Sequence, residues 1–146
     1  MTHNTKWILG CLGVLAVFVV CGIVAIVLLV HFLDTPESKR AYEAQEIEGR
    51  EFGKTIDQAG CMKDGLARAQ KMTRFEISRA VENEGFVEGC LKSSRATSGF
   101  CNGVPPFWKL QDNDWTKEQC ERVGMDYMRT GCTAVFDAKI TVCRDQ

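Results

Sequence analysis

Histidine is nearly missing from this chain. Its 146 residues contain two, His3 and His31, and none follows His31. Without an imidazole to take up a proton, Ser-His-Asp and Cys-His nucleophile pairs are excluded from the long C-terminal part. Zinc sites that use histidine go with them, and no two cysteines show the Cys-x-x-Cys spacing on which a four-cysteine site is built. Covalent haem attachment through C-x-x-C-H is absent, as are the Walker and dinucleotide-binding glycine motifs. Asp112-Asn113-Asp114 begins like a calcium loop but lacks the glycine and closing glutamate of the EF-hand pattern, so it reads as a polar turn. No cofactor and no metal are expected.

A strong excess of charge is lacking too. With 18 basic and 19 acidic residues the formal net charge is −1, and nothing marks the clustered basic face that nucleic acid requires. The acids leave room for carboxylate catalysis, but spacing singles out no pair among them.

Asp, Glu, Lys and Arg are all missing from residues 7–33. About 20 apolar residues cross a hydrocarbon core of roughly 30 Å, so this run predicts an N-terminal transmembrane helix behind a short tail, residues 1–6. A signal-peptide core is shorter and ends in a small-x-small cleavage site. Here the far end reads Ile26-Val27-Leu28-Leu29-Val30, and Val20 precedes Cys21 where a lipidation site needs a small residue. An uncleaved anchor is therefore expected. Cys11 and Cys21 read as small apolar side chains, and Gly10, Gly13 and Gly22 form no G-x-x-x-G among themselves. Flanking cations divide between Lys6 on one side and Lys39 with Arg40 on the other. Cysteine usage arbitrates: six of the eight lie after residue 33, without metal spacing, which suits an oxidising compartment. The expected orientation puts the N-terminus in the cytoplasm and the C-terminal part in the periplasm or cell exterior.

The rest reads as all-α. Asp34-Thr35-Pro36-Glu37 has a cap candidate, an early proline and an acid, which open a helix. Residues 34–54 are polar nearly all round and read as a helical stalk, too poor in apolar positions for a coiled coil. A cysteine-rich domain is expected over residues 55–146. Thr55-Ile56-Asp57-Gln58, Thr73-Arg74-Phe75-Glu76 and Thr116-Lys117-Glu118-Gln119 each fit a capping box. Phe75, Ile77, Val81, Phe86, Val87 and Cys90 recur with rough helical periodicity. Thr130-Gly131 punctuates, and the final TAVFDAKITVC reads as helix in preference to a strand at residues 140–142.

Residues equidistant from the turn of an antiparallel helix pair face one another. Cys61 and Cys90 are symmetric about Phe75 and Glu76, and Cys120 and Cys143 about the Gly131–Cys132 junction. Cys101 is left for Cys132. Six cysteines allow 15 pairings, and this is the one that two helical hairpins predict. The shape is similar to the twin C-x9-C proteins of the mitochondrial intermembrane space. Ten residues separate Cys90 from Cys101, eleven Cys120 from Cys132 and ten Cys132 from Cys143. That spacing misses the motif each time, and membership is not inferred.

One segment rises above this background. Phe100-Cys101-Asn102-Gly103-Val104-Pro105-Pro106-Phe107-Trp108, with Trp115 beyond it, places aromatics in a turn-forming stretch. Such rings either cover a small core or dock a partner, since aromatics are enriched at interfaces. Phe100, Val104, Pro105, Phe107, Trp108 and Trp115 are the candidate binding residues. The function expected is that of a membrane-anchored, extracytoplasmic binding or accessory module, non-enzymatic, with a protein partner in a membrane or envelope. The alternatives are a tethered enzyme using carboxylates or a free cysteine, and a purely structural tether.

Overall fold

The computed structural model describes residues 19–26, 36–106, 114–128 and 130–144. Contacts divide the chain into two units, Met1–Pro36 and Glu37–Gln146. In the first, residues 19–26 are helical and exposed, and Cys21 is a free thiol. The rest of the expected span, residues 7–33, lies outside the described residues. Among those described, no helix is long and apolar enough to cross a membrane.

The second unit is all-helical: α1 (Pro36–Gly53), α2 (Gln58–Gln70), α3 (Ile77–Ser93), α4 (Asp114–Arg122) and α5 (Thr130–Arg144). Its core is built from Phe86, Val87 and Leu91 of α3 and Val135, Phe136 and Val142 of α5, with Cys61, Cys90, Cys120 and Cys132 among them. An isolated bridge joins Asp57 to Arg95 and holds the start of α2 beside the exit of α3.

The helix ends obey local capping chemistry, with shifts of two to four residues from the expected positions. Asp57, not Thr55, caps α2, its carboxylate accepting from the Gly60 N–H at 2.8 Å. The Thr55 hydroxyl instead donates to the Phe52 carbonyl at 2.8 Å, closing α1. Before α3, Glu76 accepts from the Thr73 N–H at 2.6 Å, the return half of a capping box, and the helix begins at Ile77. Thr116 lies buried inside α4 rather than capping it. That helix ends in a Schellman motif, in which the Met125 N–H donates to the Cys120 carbonyl and the Gly124 N–H to that of Glu121. Gly124 takes φ +72°, a left-handed conformation that costs glycine least.

Three disulfides close: Cys61–Cys90, Cys101–Cys143 and Cys120–Cys132. Cys61–Cys90 bridges the α2–α3 hairpin. The other two differ from the expected Cys120–Cys143 and Cys101–Cys132, and the reason is the position of a turn. Thr130-Gly131 opens α5 instead of preceding it, and the true turn follows Gly124. Cys120 and Cys132 are equidistant from that turn, which leaves Cys143 for Cys101. The chain-entropy account gives each bond about 3–4 kcal/mol for loops of 12 to 42 residues.

The polar helix α1 is not a separate stalk. Gly49 and Gly53 lie one turn apart on α1, and Gly85 and Gly89 one turn apart on α3. A Cβ on Gly49 would meet the Phe86 carbonyl oxygen at 2.0 Å, and one on Gly89 the Glu46 carbonyl oxygen at 2.1 Å. A Cβ on Gly53 would fall 2.4 Å from the Cys90 carbonyl oxygen, and one on Gly85 2.7 Å from that of Tyr42. The two backbones are in contact, as small residues allow. Around this seam the Ser93 hydroxyl donates to the Arg50 carbonyl at 2.8 Å, and the Phe52 and Phe86 rings lie 5.6 Å apart. Tyr42 meets Gly85, Glu46 meets Gly89 and Gly53 meets Cys90, so α1 and α3 run parallel.

A methyl group at this seam has nowhere to go except by separating the helices. Gly49→Ala and Gly89→Ala are each expected to destabilise the domain by about 3 kcal/mol, at the upper end for overpacking. Chemical denaturation with disulfides intact checks this, and a cost under about 1 kcal/mol would show that the backbones do not touch.

Candidate functional site

The candidate segment leaves α3 as a chain of short turns. The Phe100 N–H donates to the Thr97 carbonyl at 3.0 Å, Asn102 to Gly99 at 2.9 Å and Val104 to Cys101 at 3.2 Å. Gly99 and Gly103 take φ +71° and +79°. At its start the buried Gln58 side chain accepts from the Thr97 N–H at 2.9 Å. At its middle Cys101 ties it to Cys143 near the end of α5.

Two of the aromatics pack against the core. Phe100 is half-buried, with the Lys139 ammonium 4.5 Å from its ring centroid, a cation–π geometry. Burial pulls the Lys139 amine below the ordinary lysine range. Trp115, also half-buried, meets the Phe136 ring edge-on at 5.9 Å. These rings cover the core, one of the two roles sequence assigned them. Phe107 and Trp108 lie outside the described residues.

Val104 and Pro105 do something different. With Pro106, Ile140, the bonded Cys101 and Cys143, and Arg144 they line a cleft of about 200 Å³. Its walls are mainly apolar, and Arg144 is its one charged side chain.

A second cleft of about 200 Å³ lies among Gln45, Arg68, Lys71, Met72, Arg79, Glu82 and Asn83. Asn83 is buried, its amide donating to the Gly65 carbonyl at 3.0 Å while its Oδ1 has no partner among the described residues. Arg68 is held by Asp64 at 2.9 Å and Glu48 at 3.1 Å, with its guanidinium 3.4 Å over the Phe86 ring. No spacing rule marked this group, because it converges from three helices.

A polar network crosses the α1–α3 seam. The Tyr42 hydroxyl donates to the buried Glu88, which also accepts from Lys92 at 2.5 Å. Lys92 reaches Glu46 at 3.6 Å, and Glu46 accepts from Arg50 at 2.6 Å. Burial, then Glu88, pushes the Tyr42 phenol above its usual range. Glu84, half-buried on α3, is pushed up to about 7 by burial first and then by Asp137 and Glu88. Among the described residues no cluster of His, Cys, Asp or Glu could hold a metal ion. Neither cleft gathers a carboxylate pair.

Comparison with family models, curated proteins and solved structures finds no match for this chain.

The Glu84 shift has a sign that can be tested. Its native pKa lies above the ordinary 4.5, so the folded state holds a proton that the unfolded chain gives up. Its contribution is present below about 4.5 and lost as pH rises through about 7. Glu46 and Glu76 are held below their ordinary value by Arg50 and by the Thr73 N–H, so their effect falls below that window. Stability is expected to fall by on the order of 1–2 kcal/mol between pH 5 and pH 8, discounted for partial exposure. Glu84→Gln should flatten this slope in denaturation curves at several pH values, and an unchanged slope would contradict the assignment.

Proposed function

We propose that this chain is a single-pass membrane-anchored accessory subunit, which presents a disulfide-stapled helical binding domain outside the cytoplasm. The observation that carries the reading is the set of three closed disulfides in a chain that also holds a charge-free run at residues 7–33. Disulfides of this density persist in oxidising compartments, and the run has the length of a bilayer crossing.

The work of the domain is binding. Its docking surface is the cleft beside Cys101–Cys143, with Val104, Pro105 and Ile140 for an apolar side chain. Phe107 and Trp108 follow Pro106 directly in sequence. The partner is a protein of the same membrane or envelope. Tethering both to one surface raises their effective concentration, so modest contacts suffice. A carboxylate or thiol enzyme finds less support, since all six cysteines after residue 33 are paired and neither cleft converges acids.

Alkylation of intact cells with a membrane-impermeant thiol reagent tests compartment and bonding together. Cys61, Cys90, Cys101, Cys120, Cys132 and Cys143 are expected to label only after reduction, in unopened cells. Labelling that needs opened cells and no reductant would place the domain in the cytoplasm and remove the proposal.

A further inference from the structure

The largest exposed apolar side chains of the helical unit include Phe75 at 88%, Met128 at 66% and Ile77 at 53%. Helical periodicity in the sequence groups Phe75 and Ile77 with Phe86 and Val87, which are buried. Instead Phe75 falls in the α2–α3 turn and Ile77 opens α3 outward. Singly exposed apolar residues are ordinary. These three, however, share one end of the domain. The α2–α3 turn and the connection before α5 are held together there by the Arg74–Asp126 ion pair. Gly131, three residues after Met128, packs on Met72 and Ala69 at the end of α2.

The start of α1 lies at that same end. Tyr42 is level with Gly85 and the two helices run parallel. At about 1.5 Å per residue, Pro36 stands about 9 Å below that level and Ile77 about 12 Å. The apolar run of the sequence stops at Leu33, and two residues separate it from Pro36. The three Cα–Cα steps from Leu33 to Pro36 reach at most about 11 Å. The bilayer's headgroup layer adds roughly 5–8 Å on each side of the hydrocarbon. In a chain anchored through residues 7–33, α1 would thus start within about 11 Å of the end of the apolar run.

We propose that Phe75, Ile77 and Met128 form a membrane-seating tip, which dips into the headgroup–acyl boundary of the bilayer that anchors the chain. Apolar side chains on a turn gain there what they lack in water. Lys39, Arg40, Lys71 and Arg74 stand at this end with Glu37, Glu76 and Asp126, a near balance of charge, so the seating rests on apolar insertion and needs no anionic lipid. It sets the orientation of the domain and turns the cleft beside Cys101–Cys143 into a site at defined height. The inference rests on the anchored reading above.

The full chain is reconstituted in phosphatidylcholine liposomes with a photoreactive benzoylphenylalanine at Phe75, at Met128 or at Ile47. Ile47 is 63% exposed but about 16 Å up α1 from Pro36. Lipid adducts several-fold stronger at positions 75 and 128 than at 47, detected by mass, are expected. Adducts to polypeptide alone, or no preference over Ile47, in a chain that resists carbonate extraction would overturn the tip and leave the anchor standing. Release of the chain by carbonate would overturn both.

Discussion

Direct contact between the α1 and α3 backbones is the constraint on which this structure depends. Four glycines, two on each helix, remove the side chains that hold helices at an ordinary separation. Gly49 and Gly89 tolerate no Cβ, since each would fall about 2 Å from a carbonyl oxygen. Once the helices are that close, their register is fixed, and the polar groups beside the seam must pair. Tyr42 finds Glu88, Ser93 finds the Arg50 carbonyl, and Lys92 lies between Glu46 and Glu88. A buried carboxylate such as Glu88 would be costly alone. Here a hydroxyl and an ammonium satisfy it.

The disulfides do a different job. Cys61–Cys90 locks the α2–α3 hairpin and Cys120–Cys132 the α4–α5 turn, with all four residues fully buried. Cys101–Cys143 closes the longest loop and fixes the turn-rich segment against the end of α5. That bond adds a covalent tie to the turns and the Gln58 contact that already shape the segment, and both its cysteines line the cleft at Val104 and Pro105. Fold and candidate site are thus coupled through one covalent link.

Much of this was legible from residues alone. The all-α class followed from capping boxes and spacing, and the Cys61–Cys90 bond from symmetry about a turn placed near Phe75. The same symmetry rule missed the other two bonds because Gly131 drew attention from Gly124. The Schellman glycine in Arg122-Val123-Gly124-Met125 was the better marker, being followed by an apolar residue that buries against the helix. The docking of α1 was hidden for another reason. Its composition is polar, and apolar periodicity is blind to a contact made through glycine. The Gly49-x-x-x-Gly53 and Gly85-x-x-x-Gly89 pairs were the available signal. Convergent groups such as Asn83 with Arg68 come from separate helices, and no local pattern could bring them together.

The central claim is that α1 belongs to the domain through this glycine seam. Amide hydrogen exchange on the intact, oxidised chain tests it most directly. If the seam exists, amides of α1 from about Gln45 to Gly53 exchange as slowly as those of α3 from Gly85 to Ser93, because they open only when the domain opens. Exchange of α1 at the rate of an isolated helix, with α3 still protected, would contradict the account and return residues 36–53 to a free stalk.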